Sequence, residues 1–138
     1  MVERLKAEHG AEVEWRPFYL RPDTPPEGIE LPDYVTARAA QSHERLRQRA
    51  NAIGLEMIIP TRIPNTRLAH EATEYAYQKG KGSEFHRAVF DRYYGLGHDI
   101  SQWNVLKAVA SEIGLDGANM QREVESGKFG EVVRAHLE

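Results

Sequence analysis

The first residues to weigh for chemistry are the six histidines: His9, His43, His70, His86, His98 and His136. His70, Glu71 and Glu74 place an imidazole and a carboxylate one helical turn apart, and two ligands on one face can begin a metal site. No third ligand is visible, and the zinc-protease pattern needs a second histidine where Glu74 stands. A hydrogen-bonding or surface histidine is therefore the simpler reading. His98 and Asp99 precede a helix start, where Asp99 or Ser101 reads most simply as a cap. The sequence contains no cysteine, which removes disulfides, thiolate zinc ligands and a cysteine nucleophile from the chain. From the residues alone, no nucleophile–base pair, metal cluster or phosphate loop stands out.

Polyanion binding has two weak pointers. Arg38, Arg45, Arg47 and Arg49 form a basic stretch on one long helix, offset by Glu44, and read as a solvated face. Ser101–Ile113 and Asp116–Ser126, joined through Gly114, have the outline of a helix-turn-helix. The second of these helices carries one arginine (Arg122) against Glu123 and Glu125, a poor match to phosphate. With a net charge of −3 over 138 residues, neither nucleic acid nor another polyanion is an expected partner. No apolar run approaches the roughly 20 residues of a membrane span, and residues 1–6 lack the apolar core of a secretory signal. A cytoplasmic location and no membrane partner are the expectations.

These residues must be positioned by a chain that reads as mainly helical. Val2–Glu8 is a short helix stopped near Gly10. Glu12–Leu20 has strand formers at Val13, Trp15 and Phe18-Tyr19-Leu20, with Glu12, Glu14 and Arg16 alternating with apolar positions, and predicts a strand, with Pro17 restricting it to an edge or a bulge. Arg21–Pro32 is a proline-rich loop. Helices follow over Tyr34–Ile53, from Asn65 or Thr66 to Gln78, over Ser83–Tyr94, Ser101–Ile113 and Gly117–Ser126, and over Phe129–Leu137, with glycines at most of the stops. Met57–Ile59 is a short extended piece. Apolar stripes at three-to-four spacing predict bundle packing: Val35, Ala39, Leu46, Ala50 and Ile53 on the first long helix, Phe85, Val89, Phe90 and Tyr93 further on, then Val105, Leu106, Val109, Ala110 and Ile113. The tyrosines Tyr75, Tyr77, Tyr93 and Tyr94, with Trp103, read as core or half-buried groups. The single strand lacks partners for its backbone, so a homodimer pairing Glu12–Leu20 of two copies is expected.

The order of particular residues carries a further signal. Glu14-Trp15-Arg16-Pro17-Phe18-Tyr19-Leu20-Arg21-Pro22-Asp23, then Pro25-Pro26-Glu27-Gly28, resembles the second strand and following loop of DsbA-family proteins of the FrnE type. Arg62-Ile63-Pro64-Asn65-Thr66, running on to Ala69-His70, resembles that group's segment at the start of an inserted helix. Phe85-His86, Val89-Phe90, Tyr93-Tyr94 and Gly97-His98-Asp99-Ile100 are similar to its next helix and turn. Val105-Leu106, Ala110 and Gly114-Leu115-Asp116 follow in the same order.

The resemblance implies the mainly α, helical insertion domain of a DsbA-like thioredoxin fold with one residual β-strand. Residues 1–28 would be a remnant of thioredoxin helix, strand and loop, and residues 29–138 the helical insertion. The family's members are thiol–disulfide oxidoreductases acting on protein thiols and disulfides, with no cofactor. Related branches are 2-hydroxychromene-2-carboxylate isomerases and kappa-class glutathione transferases, which use glutathione. The family's Cys-x-x-Cys falls upstream of the segment matching Val2–Glu8, and its cis-proline strand falls downstream of Glu138, so no catalytic residue carries over. The inserted domain caps the family's active site and shapes its substrate cleft, which makes Asn65, Thr66 and His70 the candidate cleft residues. Their simpler reading is a helix cap plus a packed histidine. Three classes remain at this point: part of a disulfide oxidoreductase, part of a glutathione-using isomerase or transferase, and a helical interaction module. Because exchange requires a thiolate, the chain is expected to give no turnover in an insulin-reduction assay, and measurable turnover would refute the assignment of the sulfur chemistry to other residues.

Overall fold

A computed structural model describes residues 2–137. Its elements run α1 (Val2–His9), β1 (Ile29–Glu30), α2 (Asp33–Asn51), β2 (Arg62–Ile63), α3 (Arg67–Gln78), α4 (Gly82–Phe90), a π-helical turn (Asp91–Gly95), α5 (Trp103–Glu112), α6 (Gly117–Glu125) and α7 (Gly130–Leu137). The mainly α expectation holds. Among the described residues the sheet is a two-residue antiparallel ladder, with Ile29 opposite Ile63 and Glu30 opposite Arg62.

The core lies among α3 to α7. Helix α3 packs on α4, α6 and α7, while α5 packs on α4 and α6. The fully buried side chains that fill this space include Tyr75, Phe85, Leu106, Met120 and Phe129. Each such burial contributes about 1.5–3 kcal/mol relative to exposure. The helices start where the sequence supplies acceptors. Asp116 accepts the Asn119 N–H at 2.9 Å to cap α6, and Asn65 Oδ1 accepts the Arg67 N–H at 3.0 Å before α3. Gly117 lets α6 approach α5 closely, since a Cβ there would sit 3.0 Å from Lys107 Cβ. The α5–α6 pair is thus a packed hairpin. Met120 and Val124 of α6 are buried, and Asn119 Nδ2 donates to the Tyr75 hydroxyl of α3 at 3.0 Å.

Three expectations need correction. Glu12–Leu20 is not a strand: residues 11–19 carry no regular secondary structure, and no backbone–backbone hydrogen bond involves residues 11–20. The period-2 pattern is nevertheless real in space. Val13, Trp15, Pro17 and Tyr19 turn inward, while Glu14, Arg16, Phe18 and Leu20 face solvent. Strand propensity describes a fit to a pleated, half-buried surface; here helices α3 and α4 supply the surface and no neighbouring strand supplies the ladder. The second correction concerns α2, which was expected to pack by its apolar stripe and instead buries no residue. Leu46 is 47% exposed and Ile53, just past the helix, is 66% exposed. The third is the break in the helix predicted over Ser83–Tyr94, which changes to π geometry at Asp91.

The ladder that anchors α2 to α3 depends on Gly28. Its φ is +79°, and a Cβ on it would lie 2.7 Å from the Ile63 carbonyl oxygen. Both the left-handed backbone and the contact exclude a side chain. Gly28→Ala is expected to lower stability by roughly 1–3 kcal/mol in denaturant unfolding; an unchanged midpoint would show that the ladder is dispensable.

Candidate functional site

The inward-facing residues of the extended segment do not close against α3 and α4. They leave a cleft of about 540 Å³, a size suited to a bound side chain or small molecule. The segment and α3 run in opposite directions along it. At one end Leu20, Arg21 and Thr24 meet Ile63, Pro64 and Thr66; at the other Trp15 and Arg16 meet Glu74, Tyr77 and His86. The Asn65 side chain pins the first end by donating to the Thr24 carbonyl at 2.6 Å.

One wall is aromatic. Trp15 stacks on His86 with ring centroids 4.3 Å apart and 27° between planes. His86 continues to Phe90 at 4.7 Å, Phe90 to Tyr94 at 5.7 Å, and Tyr94 to Tyr93 at 4.7 Å. Tyr19, outside the cleft lining, meets His70 edge-on at 5.3 Å. The extended segment is therefore held largely by aromatic and histidine side chains, each pair contributing about 0.5–1.5 kcal/mol beyond its buried area. The π-helical turn brings Tyr93 and Tyr94 to the same wall. Burial pushes the Tyr93 phenol up to about 12, with Tyr94 and Asp99 adding to the effect. Its hydroxyl donates to the Arg62 carbonyl at 3.2 Å, so Tyr93 ties the cleft wall to β2.

The three candidate residues separate by role. Thr66 and His70 line the cleft. Asn65 does not; it lines a smaller cavity of about 70 Å³ beside it, and its two hydrogen bonds make it a cap and a loop clamp. His70 loses proton affinity chiefly through burial and next through the neighbouring His86, with a backbone hydrogen bond to Phe18 opposing both. Burial likewise lowers His86.

The sequence cluster His70, Glu71 and Glu74 is split between two environments. His70 and Glu74 both reach the cleft. Glu71 turns to the opposite side, where its side chain is 4% exposed, pairs with Arg67 at 3.1 Å and lies 3.8 Å from a Cβ position on Gly130. Its second oxygen is buried without a partner among the described residues. Glu74 is the one carboxylate lining the cleft. Burial raises its pKa, and His136, 3.9 Å away, opposes the rise. No group of three or more His, Cys, Asp or Glu side chains among the described residues could hold a metal ion. Asp99 accepts from Ser101 and Gln102 in the turn before α5, but the helix starts at Trp103 with Gln102 as its N-cap and no side-chain cap hydrogen bond, so the expected cap at Asp99 or Ser101 is not formed. No helix among the described residues is long and apolar enough to cross a membrane.

Sequence reasoning missed Trp15, Glu74, His86, Phe90 and Tyr94 as cleft residues. The alternation around Trp15 indicated an inward face, but what that face would meet was not encoded locally.

Comparison with known proteins adds two findings. The family model described as a DSBA-like thioredoxin domain matches residues 1–138. An uncharacterized protein of Bacillus subtilis (strain 168), YwbO, is 30% identical over 128 residues, which cover 91% of this chain and 63% of that protein. The chain thus spans a little under two thirds of the relative's length.

Both cleft histidines bind protons less readily folded than unfolded. Their contribution to stability is fully present above the unfolded value of 6.5 and is lost as the pH falls through their lower folded values. Denaturant midpoints should therefore drop between about pH 7.5 and about pH 5. A His70→Gln/His86→Gln double variant should show a shallower drop; an equal drop would place the acid sensitivity elsewhere.

Proposed function

The chain belongs to the DSBA-like thioredoxin domain family, and on that footing we propose that it forms the substrate-recognition part of a thiol–disulfide oxidoreductase of the FrnE type. The observation that carries this reading is the aromatic cleft, into which Thr66 and His70 face. Exchange proceeds by attack of a thiolate on a sulfur, and this sequence holds no cysteine. Its share of the reaction is accordingly to hold the polypeptide whose thiols or disulfide are exchanged.

Two features suit a polypeptide occupant. The cleft offers ring faces to an apolar side chain, and over residues 11–20 the segment beside it makes no backbone–backbone hydrogen bond, with His70 engaging the backbone at Phe18 alone. An extended chain laid alongside can use those groups as a strand would. A reduced, alkylated insulin B chain titrated into isotope-labelled protein should shift the Trp15 indole resonance and the amides of His70, His86 and Tyr94. Phe90→Ala, which removes a ring from the wall, should weaken binding roughly tenfold. Shifts confined to α2, or an affinity unchanged in Phe90→Ala, would overturn the reading. Glutathione producing the same shifts where the polypeptide produces none would favour the isomerase and transferase branch.

A further inference from the structure

Building on the cleft as a polypeptide site, we infer that it selects extended segments in which a bulky apolar residue lies two positions from a lysine or arginine, on the same face of the chain, with Glu74 receiving the cation. Glu74 is the cleft's one carboxylate, its side chain is 13% exposed, and its one ion-pair contact is a histidine at 3.9 Å. No protein hydrogen bond to it is present among the described residues, in contrast to Asp99, which accepts from Ser101 and Gln102. A carboxylate in largely apolar surroundings is costly to keep charged unless a cation or donors meet it. The neighbouring chain does not supply them. Arg16 lines the same end but is engaged by Glu14 at 3.0 Å, and Tyr77 contributes a neutral phenol whose proton burial holds in place.

The geometry gives the order of the two groups. The ring series from Trp15 through His86 to Phe90 forms the wall, and Glu74 sits on α3 at the Trp15 end. The other cation of the lining, Arg21, lies with Thr66 at the far end, about 12 Å away by the rise of α3 between positions 66 and 74. An aromatic or long aliphatic side chain resting on the rings therefore carries a neighbouring ammonium or guanidinium to Glu74 and keeps it away from Arg21. Acidic residues in the same position meet a like charge.

Two acetylated, amidated peptides identical except at one position, Phe-Ala-Lys against Phe-Ala-Glu in an alanine–glycine frame, test this against the 138-residue protein. Followed by the Trp15 indole resonance, the lysine peptide should bind about tenfold more tightly than the glutamate peptide. Glu74→Gln should bring the two within about twofold while the apolar contact persists. In the wild type, added salt should weaken the lysine peptide and bring the two affinities together, which keeps the test independent of how the variant folds. Equal affinities in the wild type, or an undiminished preference in Glu74→Gln, would overturn the inference and leave the polypeptide site standing. Failure of both peptides and of the insulin B chain to bind would overturn the site itself.

Discussion

Residues 11–20 present a row of backbone N–H and C=O groups that meets no strand, and such groups must reach water or a hydrogen-bonding partner. This requirement shapes the structure around it. Helices α3 and α4 can grip the segment by its inward side chains, but they cannot fold over it without stripping water from its backbone. The result is a trough with an apolar floor and a wet edge. Had the segment been helical, its polar groups would have been satisfied internally and the space could have closed into ordinary core.

The same constraint separates the chain into parts of unequal solidity. Helices α3 to α7 share a core of fully buried rings and aliphatic groups. Helices α1 and α2 bury no residue, and α2 is tied back mainly through the short ladder and the turn at Gly28. Regions with few buried contacts open at low free energy while a packed core opens only with the whole domain. The cleft lies on the boundary: α3 and α4 make its rigid side, and the extended segment, held by ring contacts, makes its adjustable side.

Helix positions were legible in the sequence because caps, glycine stops and three-to-four periodicity are local signals. The caps at Asp116 and Asn65 and the stripes through Leu106 and Val109 emerged as read. What failed shares one cause. The alternation over Glu12–Leu20 specifies which residues turn inward but not whether the surface they meet is a sheet or a pair of helices. The stripe on α2 specifies a face without specifying that anything covers it. In the candidate site, His70 and Thr66 could be placed through resemblance, whereas Glu71 and Glu74, three residues apart, were separated only by tertiary packing. The family ordering of motifs was legible across most of the chain, since it depends on residue identity and order instead of local propensity.

The π-helical turn at Asp91–Gly95 has an implication for how this wall tolerates change in length. A π turn is an α-helix with a surplus residue, and each residue advances the helix by about 100°. Removing one residue between Phe90 and Gly95 would let the helix run on in regular phase. Residues inside the turn would be re-aimed relative to α3, while those beyond it would keep their phase, because the wide turn already absorbs the surplus. Tyr93 would then lose its alignment with the Arg62 carbonyl, and Tyr94 would leave the wall it shares with Phe90. Within this short stretch, sequence length is therefore constrained alongside sequence identity: Tyr94 can be exchanged for another ring at modest cost, whereas a frame-preserving deletion of a single codon would re-aim Tyr93 and Tyr94 together.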